Sequence, residues 1–295
     1  MNVTSIHFRL SHKIQDEAFS LTHAATCNLY IAVGHKSIRL AVVDTNRNKF
    51  VVLEDYELLS VFTPVQVAEQ LRLIATENPL LQEKGWNIIR ASFSNLHFTL
   101  VPETLYDQEH QTDYLRLHSQ FNPQHDVVLS YRHSGLEAIN IFAIDVALHD
   151  ALRQVFPDRP VQMLHQTSAL IKSTLHQANR ITERKLYAFV ERNYVTVIIV
   201  SQSGLEFCNI FHYLSPEDFI YYIIFVMQEL KLNPEQETIT VWGDITHDST
   251  LFTTLQKYIR HIKLGKKPAD VAYSYKFHDL FEHRYFELYS MHLCE

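Results

Sequence analysis

The sequence is poor in glycine, in cysteine and in long apolar runs. Six glycines and nine prolines among 295 residues argue against a flexible linker or a low-complexity segment. The three cysteines, Cys27, Cys208 and Cys294, are an odd number without a close pair, which excludes a disulfide framework and a zinc knuckle. No run approaches the roughly 20 apolar residues of a membrane-spanning helix. Residues 1–19 also lack the apolar core of a signal peptide, so we expect a cytoplasmic protein without a membrane span.

An excess of basic residues is also lacking. The chain has 26 lysines and arginines against 33 aspartates and glutamates, which gives a net charge of −7. Because nucleic-acid binding depends on cations that neutralise phosphates, we expect no nucleic-acid partner. Hydrophobic residues make up 46% of the chain, so it can bury the core of one large domain or two medium ones.

What the sequence does contain is one order of elements that occurs twice. In each copy three alternating apolar and polar segments predict a strand meander, and a helix and a further strand follow. The helices begin at matching signals, Thr63-Pro64 and Ser215-Pro216, where an N-cap residue precedes proline at the first helical position. The strand segments are NLYIAVG, SIRLAVVD, KFVVLEDYEL and NIIRASF in the first copy, and LYAFVE, YVTVIIV, LEFCNIF and ETITVWG in the second. Two such copies in one chain predict an internal duplication.

Residues 97–157 fit neither copy and predict a compact α+β insertion, with a polar helix over 107–121 and a hairpin around Ser134 and Gly135. The predicted fold is therefore α/β, with two duplicated lobes. Residues 1–96 and 158–182 form the first lobe, 97–157 the inserted subdomain, and 183–295 the second lobe with a closing C-terminal segment.

A duplicated meander–helix–strand unit with an α+β insertion in the first copy resembles the actin-like ATPase superfamily, whose lobes have the ribonuclease H-like fold. Within it the chain looks most similar to the bacterial branch of the pilus protein PilM, the division protein FtsA and the cytoplasmic part of the secretion protein GspL. It is also similar to a bacterial family of unknown function with this fold. The resemblance covers nearly the whole chain and implies a nucleotide cleft between the lobes, built from two phosphate loops and an adenosine loop.

The first phosphate loop of that superfamily reads approximately Asp-Ile-Gly-Ser-x-Ser-Val-Lys and corresponds here to Ala32–Arg39. Gly34, Ser37 and Arg39 match the pattern, but Ala32 stands where the aspartate is expected. That acid normally faces the magnesium shell, and a methyl group offers no oxygen ligand. Asp44 and Asp55 are expected at the far ends of the meander strands, where neither replaces the lost acid.

The second phosphate loop is expected to read Asp-Ile-Gly and corresponds to Phe189, Val190 and Glu191. An aromatic side chain thus replaces the second acid, and Glu191 places negative charge beside a bound triphosphate. The adenosine loop, usually a Gly-Gly pair, is Gly243-Asp244 and keeps one glycine.

These losses predict a degenerate nucleotide cleft and a pseudo-ATPase, not an enzyme, with no catalytic residue, no metal ligand and no cofactor. We expect an interaction protein with a protein partner. One alternative is a sensor that binds ATP or another phosphate ligand without hydrolysis, and another is an enzyme of a different class rebuilt in the same cleft. The residues that the resemblance places in this degenerate cleft are Gly34, His35, Lys36, Glu191, Gly243 and Asp244.

Three further segments carry predictions. The basic run 261–270 could hold an anion, but it indicates more strongly a solvated helix end followed by a loop. The helix containing FIYYIIFVM is apolar almost all round, which indicates burial on both sides. The aromatic tail over 273–289 indicates either a partner surface or a segment that packs back and completes the core.

Overall fold

The computed structural model describes residues 7–178 and 183–294, which divide into two compact units. The first unit holds residues 7–168, Ala269–Asp279 and Cys294, and the second holds the other described residues. The division falls after Ser168, whereas the sequence places the boundary between lobes at 182, which lies outside the described residues. The predicted boundaries of the lobes and of the insertion therefore stay predictions.

Within the described residues, fifteen strands and eight α-helices are present. The strands are β1 Phe8–Gln15, β2 Cys27–Val33, β3 Ser37–Asp44, β4 Lys49–Leu58, β5 Ile88–Phe93, β6 Phe98–Pro102, β7 Asp126–Arg132, β8 Ala138–Asp145, β9 Val161–His165, β10 Lys185–Glu191, β11 Tyr194–Ser201, β12 Gly204–His212, β13 Thr238–Gly243, β14 His261–Leu264 and β15 Ala272–Tyr273. The helices are α1 Pro64–Glu77, α2 Pro79–Gln82, α3 Gln111–Arg116, α4 Val146–Val155, α5 Gln166–Ala178, α6 Pro216–Glu229, α7 Thr250–Tyr258 and α8 Phe286–Ser290.

A seven-stranded sheet organises the first unit. Its order is β1-β4-β3-β2-β5-β9, and β15 pairs with β4. The meander β2–β4 is antiparallel, and β5 and β9 then add in parallel. Every residue of β2 is buried, as expected for a strand covered on both faces. Helix α1 begins in a capping box between Thr63 and Gln66, so the predicted cap is confirmed.

The insertion contains a separate three-stranded sheet of order β6-β8-β7. Gly135 turns the predicted hairpin with φ of +80°, in the left-handed region that favours glycine. The predicted polar helix over 107–121 is wrong in length, because only Gln111–Arg116 is α-helical and a 3₁₀ turn, Gln108–His110, precedes it. Only Leu115 is buried on this helix, so it has little apolar surface to stabilise further turns.

The second unit contains a five-stranded sheet of order β12-β11-β10-β13-β14, the same order as β4-β3-β2-β5-β9. Helix α6 begins in a capping box between Ser215 and Asp218, matching the predicted cap. The predicted solvated helix end in the run 261–270 is wrong, because His261–Leu264 forms β14, parallel to β13. Ile262 and Leu264 pack against the core while His261 and Lys263 are exposed, the alternation of an edge strand. Duplication as the origin of the shared order stays a prediction.

Helix α6 is buried on one side only, so the prediction of burial on both sides is wrong. Its buried residues are Phe219, Ile220, Ile223, Val226 and Met227, which pack into the core of the second unit. Tyr221 and Phe225 point outward and are 61% and 43% exposed. The apolar composition of this helix therefore exceeds what its own unit buries. No helix in the described part of the chain is long and apolar enough to cross a membrane.

The C-terminal segment contributes to both units. Ala272–Tyr273 pairs with the start of β4, and the Asn48 side chain donates to the carbonyl of Asp270 at 2.8 Å. In the second unit, Phe286 of α8 is fully buried against Trp242. Burial of most aromatic rings of this tail agrees with the prediction that it completes a core, although Tyr275 and Phe281 are 60% and 61% exposed.

Candidate functional site

The predicted first phosphate loop is the turn between β2 and β3. The Gly34 amide donates to the carbonyl of Ser37 at 2.9 Å, which closes the turn. The Lys36 ammonium donates to the carbonyl of Val61 and lies 4.4 Å from the centroid of the Phe62 ring. His35 is half-buried beside it. The lysine charge is thus in contact with residues of its own unit, which takes up part of the donor capacity that a phosphate ligand would need.

A buried ion pair lies next to Ala32. Ala32 pairs directly with Arg39 on β3, and Arg39 pairs directly with Asp55 on β4, so the three side chains lie on one face of the sheet. Arg39 Nε is 3.3 Å from Asp55 Oδ1, and both residues are buried. The prediction that Asp55 lies at the far end of its strand is wrong. A carboxylate is present on this face, but it is engaged by Arg39 and lies two strands from the lost acid.

The predicted second phosphate loop is the hairpin between β10 and β11. Phe189 and Val190 are buried, and Glu191 is half-buried at the end of the strand. Arg192 turns the hairpin with φ of +44°, and the Tyr213 hydroxyl donates to its carbonyl. Where a magnesium-facing acid is expected, the chain therefore places a buried phenyl ring.

Gly243 is held against the second hairpin. Its φ is +97°, and a Cβ added there would lie 2.0 Å from the carbonyl oxygen of Val190. The next amide, that of Asp244, donates to the same carbonyl at 2.8 Å. The close approach of two backbones explains this glycine without a ligand, and it brings the loops of Glu191 and Gly243-Asp244 together.

The chain's own C-terminal segment covers this loop. The Gly243 amide donates to the carbonyl of His283 at 2.9 Å. His283 Nε2 donates in turn to the carbonyl of Ile245 at 2.6 Å, and burial lowers the pKa of this imidazole. Arg284 Nε lies 3.8 Å from Asp244 Oδ1. The Ile245 amide donates to the Gly243 carbonyl at 2.9 Å. The amides of Gly243, Asp244 and Ile245 therefore all donate to carbonyls of the protein itself.

An aromatic stack fixes the segment in place. The rings of Trp242 and Phe286 are parallel within 10° and their centroids are 4.0 Å apart. Trp242 Nε1 donates to the carbonyl of Lys266 at 3.1 Å, and the bare backbone of Gly265 makes room for the indole. The segment is thus held by stacking, by hydrogen bonds and by burial together.

These residues do not fit a magnesium–nucleotide complex. Ala32 and Phe189 supply no oxygen where acids are expected, and the amides of the Gly243 loop are engaged by the chain itself. Gly34, His35 and Lys36 belong to the first unit and Glu191, Gly243 and Asp244 to the second, where the structure brings the latter three together. In the described ranges, no group of three histidine, cysteine or acidic side chains is placed to hold a metal ion.

A buried polar cluster at the end of β9 was not predicted from the sequence. His165 is fully buried; its Nε2 donates to the carbonyl of Asn95 at 3.1 Å, and its Nδ1 accepts from the Thr167 hydroxyl at 2.7 Å. Asn140 Nδ2 also donates to Thr167 Oγ1, at 2.8 Å. Burial lowers the pKa of His165 to about 3. A histidine bonded to a hydroxyl resembles a base and nucleophile, but neither side chain is exposed to a substrate.

The first unit also contains a groove of about 620 Å³. This volume lies within the range of ligand-binding pockets. Two terminal strands, β7 and β9, border the groove. Arg153 at its rim is exposed and makes no hydrogen bond or ion pair with the part of the chain that the structure describes. The other lining residues are Leu129, Ser130, His149, Phe156, Pro157, Asp158, Arg159, Pro160, Val161 and Met163. The groove is thus concave and partly apolar, with an exposed cation at its rim.

Comparison with known proteins agrees with this architecture. A family model described as a protein of unknown function, DUF3822, matches residues 16–262. No curated protein matches the sequence. A Bacteroides thetaiotaomicron protein with an actin-like ATPase fold and unknown function is 19% identical, with a TM-score of 0.76 over 84% of this chain and 93% of that one. A chain of the PilM–PilN type IV pilus biogenesis complex is 12% identical, with a TM-score of 0.58 over 91% and 98%. The predicted actin-like fold and its likeness to PilM are confirmed.

Proposed function

The chain belongs to the DUF3822 family of proteins of unknown function, and we propose that it is a non-catalytic interaction scaffold, a pseudo-ATPase that keeps the actin-like fold. It holds a protein partner and does not hydrolyse ATP. Both expected acids are replaced, by Ala32 and Phe189, and losing one metal-contacting acid commonly lowers the rate of phosphoryl transfer by orders of magnitude.

The observation that carries this proposal is the C-terminal segment over the Gly243 loop. A ligand that needs these backbone amides would have to displace the hydrogen bond between Gly243 and His283 and then disturb the stack of Trp242 on Phe286. Only part of the binding free energy would remain after that displacement. The segment therefore acts as a permanent internal ligand of the loop.

A protein partner is supported by the structural relative in the PilM–PilN complex, which is named as an assembly of two proteins. This chain offers its own surface for such a role, the groove bordered by β7 and β9. The sensor alternative would have to recruit Lys36, which already contacts Val61 and Phe62. An enzyme of another class would need an exposed nucleophile and base, and the His165–Thr167 pair is buried.

Calorimetric titration with ATP and ADP, with and without magnesium, tests the proposal. We expect no heat beyond dilution at high protein concentration, and no change in thermal unfolding when nucleotide is added. Ligand present at 100 times its Kd would stabilise a binding protein by about 2.7 kcal/mol, so the second measurement is sensitive. Micromolar binding without magnesium would favour the sensor, and magnesium-dependent binding would contradict the loss of the ATPase.

A further inference from the structure

Helix α6 presents a row of aromatic rings to solvent. Tyr221 and Phe225 stack with centroids 6.1 Å apart and planes within 19°, and both are exposed. The row continues inward through Tyr222, which stacks on Phe211 of β12 at 4.8 Å. Tyr222 and Phe211 are half-buried against the core of the second unit. Exposed aromatic rings backed in this way form a rigid surface, which is common at the centres of protein interfaces.

Two carboxylates extend this row. Glu217 and Glu229 are exposed, and neither pairs with a cation anywhere in residues 7–178 or 183–294. Glu217 lies in the first turn of α6, where the helix dipole stabilises a negative charge. Glu229 is the last residue of the helix, where the dipole opposes that charge, so the helix itself does not favour this residue.

The four exposed side chains recur every four residues, at positions 217, 221, 225 and 229. They form a stripe along α6 that is about 18 Å long, the rise of twelve helical residues. A stripe of this spacing is a ridge of the kind that packs into the groove of another helix.

We propose that this stripe, formed by Glu217, Tyr221, Phe225 and Glu229, binds an amphipathic helix of a partner protein. That helix has a short apolar centre, which covers the two rings, and lysine or arginine side chains at both ends, which pair with the carboxylates. Arginine also suits the ring faces through cation–π contact. The inference rests on the proposed interaction role and adds the surface and the chemistry of the partner.

A second copy of the chain does not supply such a helix. Among the described helices, none has exposed cations at both ends of an apolar stripe. The exposed cations next to α7 illustrate this point, since Lys257 and Arg260 cluster at one end of that helix.

Site-specific photo-crosslinking in cells that make the protein tests this proposal. Tyr221 and Phe225 are each replaced by p-benzoylphenylalanine, and the crosslinked partner segment is mapped by mass spectrometry. Tyr258 on α7 is the matched control, because it is 55% exposed but flanked by cations. We expect positions 221 and 225 to capture one segment with basic residues at both ends, and position 258 to capture none.

A synthetic peptide of the mapped segment then tests the charges. Reversal by Glu217→Lys with Glu229→Lys should weaken its binding about tenfold, and neutralisation by Glu217→Gln with Glu229→Gln should weaken it less. The neutral pair also serves if the reversed pair does not fold. Unchanged affinity in both, a segment without basic residues, a second copy of the chain, or equal capture at position 258 overturns the inference.

A fourth position separates this inference from the proposed function. Arg153 in the groove is replaced by the same photo-crosslinker. A crosslink at position 153 without a crosslink at 221 or 225 contradicts the proposed binding surface on α6 and leaves the interaction role intact. The absence of a crosslink at positions 153, 221 and 225 contradicts both the α6 surface and the interaction role.

Discussion

Single glycines in this protein are required for two different physical reasons. Gly135 and Gly243 both have positive φ, +80° and +97°. Around Gly135 an added Cβ would meet nothing within 4 Å, whereas at Gly243 it would lie 2.0 Å from the Val190 carbonyl oxygen. Gly135 is therefore favoured by its backbone angle alone, and Gly243 by angle and space together.

Replacing each glycine by alanine should separate the cost of the backbone angle from the cost of the missing space. Gly135→Ala should lower the free energy of unfolding by about 1–2 kcal/mol, the cost of a left-handed residue with a Cβ. Gly243→Ala should lower it by more than about 4 kcal/mol, because the β10 backbone must also move. Urea unfolding of both variants checks this, and equal losses would contradict the close approach.

The sequence predicts what is lost from the first phosphate loop, but not what has replaced it. Ala32 and Gly34 are recognisable by their spacing within a known pattern. The pairing of Arg39 with Asp55 depends on the register of β3 against β4, because a slip of one residue would place the two side chains on opposite faces of the sheet. Likewise, nothing in the local sequence shows that His283, forty residues beyond Gly243, bonds to that loop.

At the scale of elements, the junction of β9 and α5 is held by the buried His165 cluster. The imidazole is neutral because burial lowers its pKa to about 3, while an unfolded histidine titrates near 6.5. Between these two values the unfolded chain binds one more proton at this site than the folded chain does. Stability from this group is thus complete above pH 6.5 and declines as the pH falls toward 3.

Relative to a variant without this imidazole, the free energy of unfolding should fall by about 1.4 kcal/mol for each pH unit below 6.5. His165→Gln should be less stable at pH 7.5 but should lose that slope between pH 6 and pH 4.5. Urea unfolding across this range measures both quantities.

His118→Gln is the control for the pH series, since the His118 side chain is exposed. It should keep the slope of the natural chain. A His165→Gln protein with an unchanged slope would show that other groups cause the acid sensitivity.

Elements with strong local signals were predicted well, and those defined by tertiary context were not. The alternation of apolar and polar residues predicts the two meanders, and the N-cap residues Thr63 and Ser215 predict the helix starts. The structure contains all of these elements. Strand β14 was missed because four residues with two exposed polar side chains do not resemble a strand until β13 lies beside them. The exposed side of α6 was missed because apolar composition does not reveal which face lacks a neighbour.

At the scale of the whole molecule, the last residues of the chain serve both compact units. Residues 269–279 add β15 to the first sheet, and Leu280–Leu293 supplies the stack on Trp242 in the second unit. Each unit therefore depends on a different part of one continuous tail.

Two shortened chains should show this dependence. A chain ending at residue 279 should lose hydrogen-exchange protection in β10 and β13 and keep it in β1 and β4. A chain ending at residue 268 should lose protection in all four strands, because β15 is then also absent. Exchange measured by mass spectrometry on peptides of each strand checks both. Loss in β4 from the longer chain would contradict the division of the tail.

The pairing of β15 with β4 has a consequence for synthesis on the ribosome. Domains commonly fold in order, the N-terminal one first, as each emerges. Here the start of β4 waits for residues 272–273, which are made only after every strand of the second sheet has been translated. The N-terminal unit is thus the first to begin folding, but it cannot complete its sheet until all strands of the second sheet have been made. A chain arrested before residue 272 would display an open strand edge to its neighbours.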